Sequence, residues 1–208
     1  MENTEELYSK VLDLYKKYGV KSVTMDDVAR ELGISKKTLY IHVADKKELV
    51  EKVIHYDFDV VKDCFMEVFD REGLNAIEQL FEVNYFMRNL LKYHSFSLDY
   101  DLKKYYPELF REISERKQHE MYKSVLENMK KGKAEGIYRE ELNEELVAKL
   151  YVSRIVSAHD SEFMTIEDFI APEAYKEYFV YHIRGIANEK GIRILEDNID
   201  KLHHTDNE

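Results

Sequence analysis

Gly33 stands between two short helical patterns, and that arrangement limits what the chain around it can become. Residues 24–48 run TMDDVARELGISKKTLYIHVADKKE. Thr24 is a good N-cap, and Asp27, three residues on, reciprocates as a weak capping box. Val28, Ala29 and Leu32 recur at helical spacing and leave Arg30 and Glu31 to solvent. Glycine accepts the left-handed conformation that the end of so short a helix requires. Ile34 follows as an apolar plug. Ser35 caps a second helix, from which Leu39 turns inward. Asp45 caps a third helix, with Glu48 completing a stronger capping box. The spacing predicts a helix-turn-helix followed by the start of a longer helix.

The second helix presents an outward face rich in donors: Lys36, Lys37, Thr38, Tyr40 and His42. A DNA major groove admits a helix, and such donors read base edges and phosphates. Lys46 occupies the first turn of the third helix, where the dipole disfavours a cation and a nearby phosphate would account for it. The bland alternative is a set of solvated charges on a helical hairpin. Ala29 for close helix approach, Gly33 for the turn, and Ile34 with Leu39 for the core favour a DNA-binding tri-helix instead.

GVKSVTMDDVARELGISKKTLYIHVADKKELV resembles the N-terminal signature of the TetR family of transcriptional regulators. Gly19, Thr24, Ala29, Gly33, Ser35, Thr38, Leu39, Tyr40, His42, Lys46 and Leu49 carry the resemblance, over roughly the first quarter of the chain. It implies an all-helical homodimer that binds a palindromic operator and releases it when a small molecule binds. Val43 stands where the family commonly has phenylalanine. Lys37 stands where a small residue is common, which adds a donor near the bases. The resemblance assigns Lys36, Lys37 and Thr38 to base edges, and Thr24, Ser35, Tyr40, His42 and Lys46 to phosphates.

The formal net charge of −11 argues at first against nucleic acid. Residues 1–50, however, hold nine basic and nine acidic side chains, so the whole excess lies beyond them. Within residues 33–47 four lysines face one aspartate. This is a basic reader on an acidic body, which should repel DNA and help orient the protein. The single cysteine, Cys64, excludes an intrachain disulfide and a cysteine-cluster metal site; it reads as a small buried hydrophobe in a cytoplasmic protein. The polar N-terminus has no signal-peptide character, and no apolar run approaches the roughly 18 residues of a membrane span.

With 7 Gly and 2 Pro the chain favours long helices over sheets joined by tight turns. A first helix over 4–18 carries Leu7, Val11, Leu14, Tyr15 and Tyr18 on one stripe. A long helix runs from 46 to about 71 through Leu49, Val53, Tyr56 or Asp57, Val60, Cys64 and Val68. Others follow over about 74–91, within 92–106, from Pro107 to about 131, over 143–159 and over 172–189, where Gly191 closes the last. Residues 160–170 read as a loop. The tail from Ile192 holds a short helix or packs loosely, and the terminal HHTDNE reads as disordered.

Chemistry of other kinds finds little support. Glu51/His55 and Glu115/His119 have the wrong spacing for the Glu-x-x-His pairs of a di-iron bundle. No HExxH, phosphate-cradling glycine loop or GxSxG occurs, so no catalytic group, metal or cofactor is assigned. His159 and His182 sit on apolar helices and read as core histidines. The family resemblance, rather than spacing, makes an effector cavity plausible, with Phe65, Tyr85, Tyr100, Met121, Tyr122 and Tyr151 as its candidate lining. The expectation is an all-α chain: a three-helix helix-turn-helix DNA-binding domain over 1–48, then a helical ligand-binding and dimerisation domain over 49–208. Its partners would be a double-stranded DNA operator, a small-molecule effector and a second copy, paired through the helices of 143–159 and 172–189.

Overall fold

The structure, a computed structural model, describes residues 4–92, 95–158 and 171–202. They form ten helices: α1 (Thr4–Tyr18), α2 (Met25–Glu31), α3 (Lys36–His42), α4 (Lys46–Phe69), α5 (Ala76–Lys92), α6 (Phe96–Tyr105), α7 (Pro107–Ala134), α8 (Glu144–Ala158), α9 (Pro172–Ile186) and α10 (Glu189–Asn198). A 3-10 turn, Ile199–Leu202, follows. The all-helical class expected from the sequence is the one observed. No helix among the described residues is long and apolar enough to cross a membrane. His159, the expected loop over 160–170 and the terminal 203–208 segment lie outside the described residues.

Two compact units divide the chain: Met1–Cys64 with His94–Arg116, and Phe65–Tyr93 with Lys117–Glu208. The first is organised around Val11, Tyr15, Val20, Val28, Leu39, Leu49, Val50 and Val53, all at most 1 % exposed. Leu98 and Leu102 of α6 and Leu109 and Ile113 of α7 complete that core. The inner stripe of α1 is Leu7, Val11, Leu12 and Tyr15, whereas Tyr18 is exposed. On α4 the buried stripe is Leu49, Val50, Val53, Ile54 and Phe58, while Val60 and Cys64 are exposed. The expectation of a buried Cys64 is therefore corrected. At about 100° per residue Val60 and Cys64 point to the same side as Leu49 and Val53, so this face stops being covered along the helix axis, beyond Phe58, and not by rotation away from the core.

The second unit packs Ile77, Phe81, Met129, Ile137, Tyr138, Ile183 and Leu195 together. Four buried polar side chains were not anticipated: Gln79, Asn84, Ser124 and Asn128. Two of these join in one network. Asn128 Nδ2 donates to Gln79 Oε1 at 2.7 Å and to the Ala76 carbonyl at 2.8 Å. Tyr138 Oη donates to Asn128 Oδ1 at 2.8 Å, and Gln79 Nε2 donates to the carbonyl of Phe69 at the end of α4. A helix leaves its last carbonyls without partners, and here a buried amide takes one of them. Each member is satisfied, so the network specifies one packing rather than adding an unpaired group.

α9 ends at Ile186 and a separate helix, α10, begins at Glu189. The sequence reading carried one helix to 189 and closed it with Gly191. Asn188 breaks it: its Oδ1 accepts from the amides of Lys190 and Gly191, the bonding of a preferred N-cap. Its Nδ2 also holds the carbonyls of Gly136 and Tyr138. Gly191 lies inside α10, where an added Cβ would sit 2.3 Å from the Ile137 carbonyl oxygen. It is there for close packing and terminates nothing.

His182 packs its ring 4.7 Å from that of Tyr151. Burial first, and the neighbouring Arg154 cation second, push its pKa down to about 4. An unfolded histidine titrates near ~6.5. Between these values the unfolded chain binds a proton that the folded one refuses, so stability falls as pH drops through that window and is fully present above it. The change amounts to about 3 kcal/mol. His182→Phe should flatten this part of the stability profile; urea titrations between pH 7 and 4 that show the same slope in both proteins would refute the assignment.

Candidate nucleic-acid interface

The turn between α2 and α3 starts from Gly33, whose φ of +66° is the left-handed conformation expected there. Its amide donates to Arg30 O at 3.2 Å, and the amide of Ile34 reaches back to Ala29 O at 3.0 Å. These bonds close α2 and turn Ile34 against the core. Thr24 and Asp27 form a full capping box, stronger than the sequence suggested. The Thr24 hydroxyl donates to Asp27 Oδ2 at 2.6 Å and accepts from the Asp27 amide at 3.2 Å. The Thr24 side chain and backbone, in that order, hold the Asp27 carboxyl below its ordinary pKa. Asp45 Oδ1 accepts from Glu48 N, while Glu48 reaches one residue past the cap to the amide of Ala44.

Ser35 caps α3 by accepting from Thr38 N at 3.0 Å, and the two hydroxyls are 2.8 Å apart. Leu39 is fully buried beneath the helix. Around it stand Lys36, Lys37, Tyr40, Ile41 and His42, all exposed, and Thr38, half-buried. Tyr40 is 46 % exposed and Ile41 is 76 % exposed. Lys52 Nζ donates to the carbonyl of His42 at 3.0 Å and so satisfies the end of the helix. Val43, where a larger side chain was expected, is the C-cap and belongs to the core.

The lysine count overstates the positive charge this face can offer. Lys36 Nζ lies 2.7 Å from Asp26 Oδ2 on α2, an ion pair that raises the lysine pKa. Among the described residues Lys37 has no such partner. Lys46 donates to the carbonyl of Lys21 at 3.2 Å. That bond supplies a reason within the fold for a lysine in a first helical turn. Burial pushes the Lys46 pKa down, against the opposing pull of the Asp101 and Asp27 carboxylates.

Asp101 of α6 is a member of this frame that sequence reasoning missed. Its Oδ2 accepts from Lys21 N at 3.0 Å, in the turn that leads from α1 to α2. Gly19, with φ +78°, makes room for it: a Cβ there would sit 2.7 Å from the same oxygen. Ser95, the cap of α6, donates to Lys16 O at 3.1 Å. α6 thus holds the base of the helix-turn-helix at two points. Asp101→Ala should lower the stability of the first unit by about 1 kcal/mol, while Asp101→Asn, which keeps an acceptor, should stay near wild type. Equal losses in urea titrations of the two variants would rule out the hydrogen bond as the cause. A separation of eighty residues hides such a pair from any local pattern.

The six candidate effector residues are dispersed over several settings. Phe65 stacks on Phe69 at 5.7 Å and meets the edge of Phe86 at 6.3 Å. Met121 and Tyr122 are half-buried on α7. Tyr85 is 56 % exposed, and Tyr100 is 61 % exposed on α6 beside Lys104. Tyr151 joins a ring cluster with Tyr178 and His182. The Arg154 guanidinium lies 3.5 Å from the centre of the Tyr178 ring, and among the described residues its buried Nε and Nη2 find no hydrogen-bond partner. A separate cleft of about 370 Å³ at the end of α4 is lined by Phe69, Asp70, Arg71, Gln79 and Lys131 and by none of the six.

Residues 10–53 match the family described as bacterial regulatory proteins, tetR family. The chain is 24 % identical over 186 residues to the HTH-type transcriptional regulator YvaF of Bacillus subtilis, covering 89 % of this chain and 96 % of YvaF. Its fold is similar to that of a transcriptional regulator from Cytophaga hutchinsonii, with TM-score 0.71, 18 % identity and coverage of 89 % and 98 % of the two chains. It is also similar to a transcriptional regulator from Saccharomonospora viridis in complex with choline, with TM-score 0.67, 15 % identity and coverage of 88 % and 96 %.

Proposed function

The chain belongs to the TetR family of transcriptional regulators, and from that premise we propose that it is a ligand-responsive repressor binding a palindromic operator as a homodimer. The observation that carries the reading is α3 itself. One residue, Leu39, anchors it, and a cation, a phenol, an alkyl group and an imidazole stand free on its outer side. Such a helix fits a major groove, with Lys37 at base edges and Tyr40 and His42 at phosphates. Thr24, Ser35 and Lys46 join the phosphate set by releasing or sharing the internal bonds they now make. Residues 1–48 form the reading part, and 49–208 the effector and dimer part, of a cytoplasmic protein.

Support for the homodimer comes from apolar side chains left uncovered on the second unit. Leu146 and Leu150, one turn apart on α8, are 55 % and 62 % exposed, and Tyr181 of α9 is 74 % exposed. A second copy would cover them in an isologous interface. Support for an effector comes from the Tyr151, Arg154, Tyr178 and His182 cluster, where a half-buried cation lies among rings. An anionic or aromatic small molecule complements that chemistry. The similar regulator that holds choline supports the idea that this fold accepts small molecules.

The proposed switch is geometric. Two α3 helices must reach half-sites roughly 34–36 Å apart. An effector that shifts α4 would change that distance and lose both half-sites together. By linkage, operator and effector must then weaken each other equally. The test is selection of bound sequences from a random DNA pool at near-physiological salt, with sedimentation of the protein alone. An enriched palindrome with helically phased half-sites, bound by a dimer, is expected. Absence of enrichment from a folded dimer would remove operator binding from the proposal.

A further inference from the structure

We propose that Ile41 is a specificity-determining residue that reads the C5-methyl group of a thymine, beside a guanine read by Lys37. This rests on the operator reading above. Successive residues of an α-helix are turned by about 100°. With the buried Leu39 as the inward reference, Lys37 and Ile41 lie about 160° to either side of it. They are the two positions that face most directly away from the protein. Ile41, at 76 % exposed, is more open to solvent than any other large hydrophobic side chain among the described residues.

The neighbours on α3 are differently engaged. Lys36 is drawn to Asp26, and the Thr38 hydroxyl is turned toward Ser35. The outermost ridge is therefore one cation and one branched alkyl group. An alkyl group gains nothing from a phosphate, which offers only acceptors. The major groove contains one apolar group, the thymine methyl, and its guanine edges present two acceptors that suit a lysine. Four residues of helix rise about 6 Å, close to two base-pair steps. The half-site should thus contain a thymine and a guanine about two steps apart, in contact with one helix.

The test begins with the operator selected by the full-length protein. Each thymine of a half-site is replaced in turn by deoxyuridine, which removes the methyl and leaves the pairing edge unchanged. At one position the substitution should weaken wild-type binding about fourfold, the loss of one buried methyl contact. Ile41→Ala should be insensitive to uracil at that position while responding like wild type elsewhere, and Ile41→Val should keep part of the response. Lys37→Ala should lose preference at the guanine two steps away alone. Sensitivity that persists in Ile41→Ala, or an operator with no uracil-sensitive thymine, overturns the assignment while leaving operator binding intact. Failure to enrich any sequence overturns operator binding and this inference with it.

Discussion

Gly132→Ala should destabilise the second unit by about 3 kcal/mol or more, and the chain should melt on the order of 10 °C lower. An added Cβ would lie 2.1 Å from Cδ2 and 2.2 Å from Cε2 of Tyr138, inside the ring's own van der Waals envelope. Overpacked cores usually relax by moving the intruded side chain. Tyr138 has nowhere to go. It is fully buried, and its hydroxyl is held by Asn128 in a network that also includes Gln79. Its backbone is fixed as well, by a bridge to Ala187 and a bond from its amide to Gly132 O. Rotating the ring away would strand the Asn128 acceptor in the core, which costs a further ~1–3 kcal/mol. Thermal denaturation followed by circular dichroism measures the effect. Adding Tyr138→Leu to Gly132→Ala should do no more damage than Tyr138→Leu alone, because the clash has lost its partner. A midpoint for Gly132→Ala within a degree of wild type would show that the two positions do not meet as described.

Gly33→Val should reduce operator affinity by about a hundredfold or more, leaving the second unit and its self-association intact. No atom lies within 4 Å of a Cβ built at Gly33, so crowding is not the reason. The reason is φ, +66°. An L-residue pays roughly 1–2 kcal/mol in the left-handed region, and a β-branched one is a true outlier there. If the backbone escapes to negative φ, the Gly33-to-Arg30 and Ile34-to-Ala29 bonds break. Ile34 then leaves the core, and Ser35 loses its place as the cap of α3. The reading helix moves relative to α2, and a displacement of an ångström or two is enough to lose paired contacts in a groove. Gly33→Asn should be much milder, because asparagine tolerates this conformation. Equal losses for valine and asparagine would mean that the turn's handedness is not what orients α3. Loss of the dimer together with DNA binding would mean that the two parts do not separate.

The local elements were legible because short-range rules govern them. Thr24 with Asp27, Gly33, Ser35 and Asp45 each act within four residues and perform the capping or turning that their type and spacing implied, whereas Glu48 accepts from Ala44 N and does not complete the box expected with Asp45. α1 spans the residues expected for it, 4–18. Errors began where a pattern was carried far along one helix or through a strong cap. The expected stripe on α4 loses its cover beyond Phe58, and Asn188 divides what periodicity alone joins.

The candidate interface shows the same division. The sequence placed the donors on α3, but it could not show that Asp26 occupies Lys36 or that Lys46 serves the Lys21 carbonyl. Nor could it show that Ile41, an apolar residue, is left 76 % exposed on the outer ridge beside Lys37. Hydrophobicity alone assigns an isoleucine to the core, whereas a helix of seven residues has only one inward position, taken by Leu39.

By itself, then, the sequence determined the helical class, the helix-turn-helix and the caps that bound its parts, since backbone conformation and hydrogen bonding over a few residues are properties of the local chain. Tertiary structure alone decided the rest: the clasp of Asp101 on the turn at Lys21, the buried alliance of Gln79, Asn128 and Tyr138, and the fit of Gly132 and Gly191 against residues 137–138. These depend on which surfaces meet after chain segments far apart in sequence have packed, and a buried polar atom or a missing Cβ acquires its meaning only from the group it meets there.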